Sequence, residues 1–177
     1  MELFTPRLHL RELIEADADL ANVYESDPDT MRYLPHPVRT LEESRAHVAK
    51  AIASAAETPR TVFDFGVVIR ETGRYIGRAG FRYTAGEREA AAIWYILDPA
   101  SRGHGYAVEA VRRVLAFAFE DLGIRRAYAD IDPRNTASKK VAARAGMRFE
   151  GEFVEDVFMK GEWCGTTIYA LLKREWP

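Results

Sequence analysis

In Leu97-Asp98-Pro99-Ala100-Ser101-Arg102-Gly103-His104-Gly105-Tyr106-Ala107 an apolar run ends in a glycine-containing turn, and the rest of the chain is arranged about that junction. Ala91 to Leu97 is apolar and stops at Asp98-Pro99, and an amphipathic segment runs from Ala107 to Leu122. The order is strand, tight loop, helix. Gly103 and Gly105 carry no Cβ, so the main chain there can bend sharply and approach a ligand closely. A helix opening near Gly105 brings unpaired N–H groups and the positive end of its dipole to the loop. That arrangement suits an anion, most naturally a phosphate or pyrophosphate. Arg102 and His104 flank the turn and add charge. Two common phosphate motifs do not fit. The dinucleotide fingerprint needs a third small residue where Val108 stands, and the next acids, Asp130 and Asp132, come late for its ribose contact. The P-loop needs Gly-Lys-Ser/Thr after its turn, which is missing.

A length of 177 residues suits one domain spanning 1–177, and 47% hydrophobic with 29% charged residues is ordinary for a soluble globular chain. A net charge of −2 gives no bulk attraction to nucleic acid or to an anionic membrane. The single cysteine, Cys164, rules out an internal disulfide and fits a reducing cytoplasm. Met1 to Pro6 lacks the basic and apolar regions of a signal peptide, and no apolar run approaches the ~20 residues of a membrane span.

Period-two alternation marks Arg7 to Arg11 as a strand. Asp17 to Ser26 carries Leu20, Val23 and Tyr24 at helical spacing, and Met31 to Pro37 reads as a loop. Thr40-Leu41-Glu42-Glu43 is a capping box that opens a helix to about Ala56, with Leu41, Val48, Ile52 and Ala56 facing inward. Three strands follow: Thr61 to Arg70, Tyr75 to Tyr83 and Ala91 to Leu97, joined by turns at Glu71-Thr72-Gly73 and Ala85-Gly86-Glu87. The third strand is apolar on both faces and so belongs at the centre of a sheet. Val108, Val111, Leu115, Ala118 and Leu122 form the stripe of the long helix, which Gly123 closes. Ala127 to Ile131 is a strand, Asn135 caps the next helix, and Gly146 ends it. Phe149 to Met159 and Thr166 to Leu172 read as a final hairpin joined by Lys160 to Gly165. The unit strand–helix–strand–helix from Ile93 to Gly146 implies a parallel crossover among antiparallel hairpins. The fold class is therefore α/β, a mixed and mostly antiparallel sheet with helices on both faces.

These pieces together resemble the GNAT superfamily of acetyl-CoA-dependent N-acetyltransferases, and more narrowly its RimJ/RimL-type branch. The resemblance covers almost the whole chain. It is carried by Thr5 to Arg11, by Tyr75 to Phe81, and by Trp94 to Ala107 with its Arg102-Gly103-His104-Gly105 loop. Asp132-Pro133-Arg134-Asn135-Thr136-Ala137-Ser138 and Ala145 to Gly151 complete it. It implies transfer of acetyl from acetyl-CoA to a protein N-terminus or a small amine, by direct attack through a tetrahedral intermediate. It implies no metal, and it makes a homodimer plausible. The main-chain amides of Arg102, Gly103, His104, Gly105, Tyr106 and Ala107 are expected to hold the pyrophosphate. The central strand is expected to splay from the Ala127–Ile131 strand, so that Ile96 and Leu97 can pair with the pantetheine arm. The Leu97 N–H is then the oxyanion donor. Asn135 and Ser138 border the acetyl-CoA arm.

An attacking ammonium must first lose a proton, and the thiolate leaving group must gain one. Many members of the superfamily supply the second proton from a tyrosine in the helix after Asn135. Here Lys139, Lys140 and Val141 stand in that region, so Ser138 is the nearest hydroxyl and the expected acid. Where the branch often carries a basic carboxylate this chain has Ala92, leaving Glu87, Glu89, Glu155, Asp156 or a water as the base. The loops Met31 to Pro37 and Met159 to Gly165 are the expected walls of the acceptor pocket. A different class of function, an acyl-CoA-binding sensor without turnover, remains open on sequence alone.

Overall fold

A computed structural model describes residues 1–84 and 87–177, leaving the side chains of residues 87 and 88 undescribed; the expected turn at Ala85-Gly86-Glu87 thus lies outside. The strands are β1 (Glu2–Phe4), β2 (Leu8–Glu12), β3 (Val62–Ile69), β4 (Tyr75–Thr84), β5 (Glu87–Leu97), β6 (Arg126–Ile131), β7 (Arg148–Met159) and β8 (Glu162–Leu172). The helices are α1 (Asp17–Glu25), α2 (Pro28–Met31), α3 (Leu41–Ala55), α4 (Tyr106–Ala116) and α5 (Thr136–Arg144). One sheet holds the strands in the order β1-β2-β3-β4-β5-β6-β8-β7. Neighbours are antiparallel except β5 and β6, which the helical crossover α4 makes parallel.

Strand pleating sorts the side chains onto two faces. Phe63, Phe65, Phe81 and Ile93 lie on one, buried with Val111, Leu115 and Phe117 under α4 and α5. Phe63 stacks on Phe81 at 4.7 Å, with Phe117 edge-on at 5.5 Å. The opposite face carries Asp64, Arg78 and Trp94 and is covered by α1 and α3 around Ala18, Tyr24 and Val48. The capping box forms: Thr40 Oγ1 accepts the Glu43 N–H at 3.2 Å, and Glu43 Oε2 accepts the Thr40 N–H at 2.7 Å.

Four local expectations need correction. In α1, Tyr24 is buried, but Leu20 and Val23 are 49% and 69% exposed. The inward face instead uses Ala18, Ala21 and two acids, Asp17 and Glu25, that meet arginines. Leu41 and Ala56 face solvent at the ends of α3, where the helix runs off the sheet. The stripe of the long helix breaks at Phe117–Asp121, which winds as a π-helix. The wider turn shifts the inward phase by about one residue, so Phe119 is buried and Leu122 is exposed. The last hairpin turns on two residues, Lys160 and Gly161 (φ 52° and 86°), and β8 starts at Glu162 rather than Thr166.

Candidate active site

β5 pairs with β6 only over Ala90–Ala92 against Arg126–Tyr128. Beyond that, β5 stays on β4 through Leu97, while β6 stays on β8 through Ile131. The two strands therefore part like an opened seam, as expected. The opening is a cleft of about 480 Å³ that runs through the sheet. One side reaches Asn135 and Ser138 on α5; the other is walled by α3, by the segment after α2, and by β3 and β4.

The direction of the main chain at the seam follows from alternation. The Asp98 N–H donates to Ile76 O at 2.9 Å, on the β4 side. The Leu97 N–H must then face the parted side. The Leu97 carbonyl faces the same way and accepts from the Arg102 guanidinium at 3.1 and 3.2 Å. Ile96 departs from the expected role. Its carbonyl points at β4, lying 2.2 Å from where a Cβ on Gly77 would stand, so only its side chain serves the cleft. Gly77, at φ 144°, is what allows that approach.

The turn after β5 is held open. Gly103 and Gly105 take φ 82° and 80°. A Cβ on Gly103 would meet nothing within 4 Å, and one on Gly105 only Arg7 Nη2 at 3.5 Å. Arg7 fixes the loop from β2's approach, donating to His104 O at 3.0 Å and to Glu109 at 2.7 Å while covering the Tyr106 ring at 4.7 Å. His104 Nδ1 lies 2.8 Å from Arg102 O, an acceptor, so Nδ1 is the donor of that bond. The Glu109 N–H closes the first helical bond on Gly105 O. The amides of Tyr106, Ala107 and Val108 thus have no carbonyl one turn behind them. Arg102 is the correction here: its amide is spent on Pro99 O, and its guanidinium on Leu97 O and Thr30 Oγ1. It braces the loop instead of offering an amide.

At α5, Asn135 Oδ1 accepts the Ser138 N–H at 3.0 Å, the expected cap. Tyr95, from the parted edge of β5, reaches across to Ser138. Its hydroxyl donates to Ser138 O at 2.9 Å and lies 2.8 Å from Ser138 Oγ. With that single proton on the carbonyl, Ser138 Oγ–H donates to Tyr95 Oη. Burial pushes the Tyr95 phenol up to about 12, against the pull of the Ser138 bond. The phenol beside Ser138 thus comes from the strand and not from α5. Pairing a strand residue with a helix residue 43 positions on leaves no mark in spacing.

The opposite wall is built on Arg78, which is 6% exposed. Its guanidinium donates to Glu25 Oε1 at 2.7 Å, to Asp64 Oδ2 at 3.0 Å, and to His47 Nε2. Glu25 also accepts from Arg39 at 2.8 Å and from the Ser44 hydroxyl at 2.7 Å. Burial works against the Glu25 carboxylate, yet Arg78, Ser44 and Arg39 hold it below its usual range. Burial pushes Asp64 up, with Arg78 opposing, and its Oδ1 has no hydrogen-bond partner among the described residues. Burial and then the charges of Arg78 and Arg39 drive His47 down to about 3, so its ring is neutral. Arg78 and Asp64 each interrupt an otherwise apolar strand, a signal that sequence reading passed over.

Of the expected bases, Glu89, Glu155 and Asp156 are not in the wall. Glu89 pairs with Arg125 at 3.2 Å, and Glu155 and Asp156 lie away from the cleft; the Glu87 side chain is undescribed. The carboxylates lining the cleft are Glu25, Asp64, Asp130 and Asp132. The first two are bound by Arg78, and Asp132 is bound by Arg134 at 2.7 Å. Asp130 has no ion-pair partner among the described residues, and it stands on β6 two residues beyond the last paired position, Tyr128 opposite Ala92. Met31, Tyr33, Leu34, Pro35 and His36 line the cleft as expected, whereas Met159 to Gly165 do not; Lys160 only props the Met31 carbonyl at 2.5 Å.

The family described as acetyltransferase (GNAT) domain matches residues 7–148. The chain is 32% identical over 176 residues, 99% of both chains, to the uncharacterized N-acetyltransferase YnaD of Bacillus subtilis (strain 168). Among solved structures, an acetyltransferase (GNAT family) from Bacillus anthracis superposes with TM-score 0.88 at 29% identity, covering 98% of this chain and 99% of that one. RimL, a ribosomal L7/L12 alpha-N-protein acetyltransferase solved in complex with coenzyme A, shares the fold at TM-score 0.85 and 21% identity, over 97% and 98% of the two chains.

Proposed function

The chain belongs to the GNAT acetyltransferase family, and from that premise we propose that it moves the acetyl group of acetyl-CoA onto a primary amine, in the manner of the RimJ/RimL-type branch. The acceptor is a protein N-terminus or a small amine. The parted seam carries this proposal: it leaves the Leu97 N–H facing a cleft that has a proton donor on one side and an unpaired carboxylate on the other.

The αL glycines and the open first turn of α4 fit a pyrophosphate, with the amides of Gly103, His104, Gly105, Tyr106 and Ala107 as donors. Asn135 and Ser138 border the arm that enters the seam. Acetyl-CoA supplies the activated acetyl group as a thioester. The Leu97 N–H receives the charge that develops on its carbonyl oxygen. Asp130, two residues beyond the last β5–β6 pair, takes the proton of the attacking ammonium through water. Ser138 Oγ–H turns from Tyr95 to give its proton to the sulfur, and the Tyr95 hydroxyl turns from Ser138 O to Ser138 Oγ to replace it, the phenol being reprotonated from solvent. The chemistry uses no metal. We read 1–177 as one domain working in the cytoplasm, consistent with a lone thiol at Cys164. A homodimer belongs to the same reading, since Phe149, Phe153, Phe158 and Trp163 of the last hairpin are 56–60% exposed.

The test is release of CoA thiol from acetyl-CoA with a panel of peptides and small amines. Asp130→Asn is expected to lower kcat about 10²-fold, and Tyr95→Phe with Ser138→Ala by a smaller factor that grows at high pH. Tight CoA binding with no turnover on any amine would favour the acyl-CoA sensor instead.

A further inference from the structure

On the α3 side of the cleft the acids of α1 and β3 are already spent, and Asp130 on β6 is the lining acid without an ion-pair partner among the described residues. Glu25 is saturated by Arg39, Arg78 and Ser44, and Asp64 Oδ2 by Arg78. His36 and His47 add no charge; burial, then Arg39 and Arg78, hold both below their ordinary values. Two cations in the same wall, Lys50 and Arg82, form no ion pair or side-chain hydrogen bond among the described residues. Lys50 stands about one helical turn beyond His47 on α3. Arg82 lies four residues beyond Arg78 on β4, on the same face of the sheet. A second ammonium on the acceptor would meet two cations offset only by the Asp130 carboxylate, and an anion would be attracted to Lys50 and Arg82.

The distance along the sheet limits what that anion belongs to. Arg82 is opposite Ala92, and Leu97 lies five residues further along β5. At ~3.3 Å per residue the main chain at Arg82 is roughly 16 Å from the oxyanion donor. Amino acids and other short amines do not span this. An extended peptide covers it in four or five residues, and the reach of a Lys or Arg side chain shortens that by one or two. We propose that Lys50 and Arg82 form a specificity subsite that reads a carboxylate on the third to fifth residue of a peptide whose N-terminus is acetylated. This rests on the acetyl-transfer reading above and narrows its acceptor to acidic N-termini, setting polyamines aside.

Two pentapeptides differing only in Asp or Asn at the fourth position, with spermidine as a third acceptor, test this. Acetylation is read as kcat/KM, and binding to the CoA-loaded protein by calorimetry. The Asp peptide should exceed the Asn peptide by about tenfold, with spermidine lowest, and the margin should shrink with added salt. Lys50→Glu with Arg82→Glu should erase or invert the preference; Lys50→Met with Arg82→Met should bring the ratio near one. Equal use of the two peptides, or a preference that survives both double variants, overturns the subsite. If no amine is acetylated, the transfer reading falls, while the calorimetric comparison still decides whether the acid is read.

Discussion

The two ends of the cleft are made differently. At the α4 end the working groups are main-chain amides, supplied by a turn with two positive-φ glycines and by the first turn of a helix. At the α3 end they are side chains from α1, α3, β3, β4 and the segment before α3, knit around one buried arginine. A main-chain site presents the same amides whatever side chains surround it, so it suits a ligand that never varies. A side-chain site changes with each substitution, so it suits the partner that differs between relatives. The energetics differ as well: the first end relies on glycine conformations that a side chain would strain, the second on buried charge.

That contrast can be broken most forcefully at Arg78. Arg78→Ala leaves Asp64 as a buried carboxyl with no cation in contact and removes one of the two arginines on Glu25. A loss of about 3–5 kcal/mol in urea-unfolding stability is expected. A loss below about 1 kcal/mol would show that the network is not what holds the α3 end together.

Gly105→Val probes the other end. The new Cβ has room, but a β-branched residue at φ 80° costs about 1–2 kcal/mol. If the loop relaxes to avoid that strain, CoA affinity should fall about tenfold by calorimetry; unchanged affinity would detach the turn from the pyrophosphate.

The smallest effect sharpens the electrostatic half. His47 is held near 3 in the fold against 6.5 outside it, by burial and by Arg78 and Arg39, with Glu25 opposing and His36 adding slightly. The unfolded chain therefore takes up the proton first. The contribution is present above pH 6.5 and is lost as pH falls toward 3. Glu25, also lowered, acts in the same direction at more acid pH, whereas Asp64, raised, acts oppositely. Between pH 7 and 6 wild type should lose roughly half a kcal/mol more than His47→Gln. Identical slopes would mean that the ring is not shielded from water.

Most of the scaffold could be read from residue order because its signals are local. The alternation in β2, the Thr40–Glu43 box, the Asn135 cap and the turn after Leu97 each depend on neighbours within a few positions. The departures arise where a distant partner overrides the local pattern. Leu20 and Val23 lose the inward face of α1 to Asp17 and Glu25, because Arg11 and Arg78 stand ready to neutralise those acids. Leu122 loses its place to a π turn. Arg102 looked like a phosphate ligand and is a brace, since Leu97 O and Thr30 Oγ1 reach it first.

The order of residues alone determined the mixed sheet, the crossover that makes β5 and β6 parallel, and the main-chain cradle between Leu97 and Ala107. Glycine conformation, helix polarity and pleat periodicity are properties of short stretches. Only tertiary structure decided that Tyr95 meets Ser138, that Asp130 is the lining acid without an ion-pair partner among the described residues, and that Lys50 and Arg82 share a wall. Those outcomes depend on which charges and hydroxyls are brought within about 3 Å of one another across 30 or more residues, and no local periodicity encodes that.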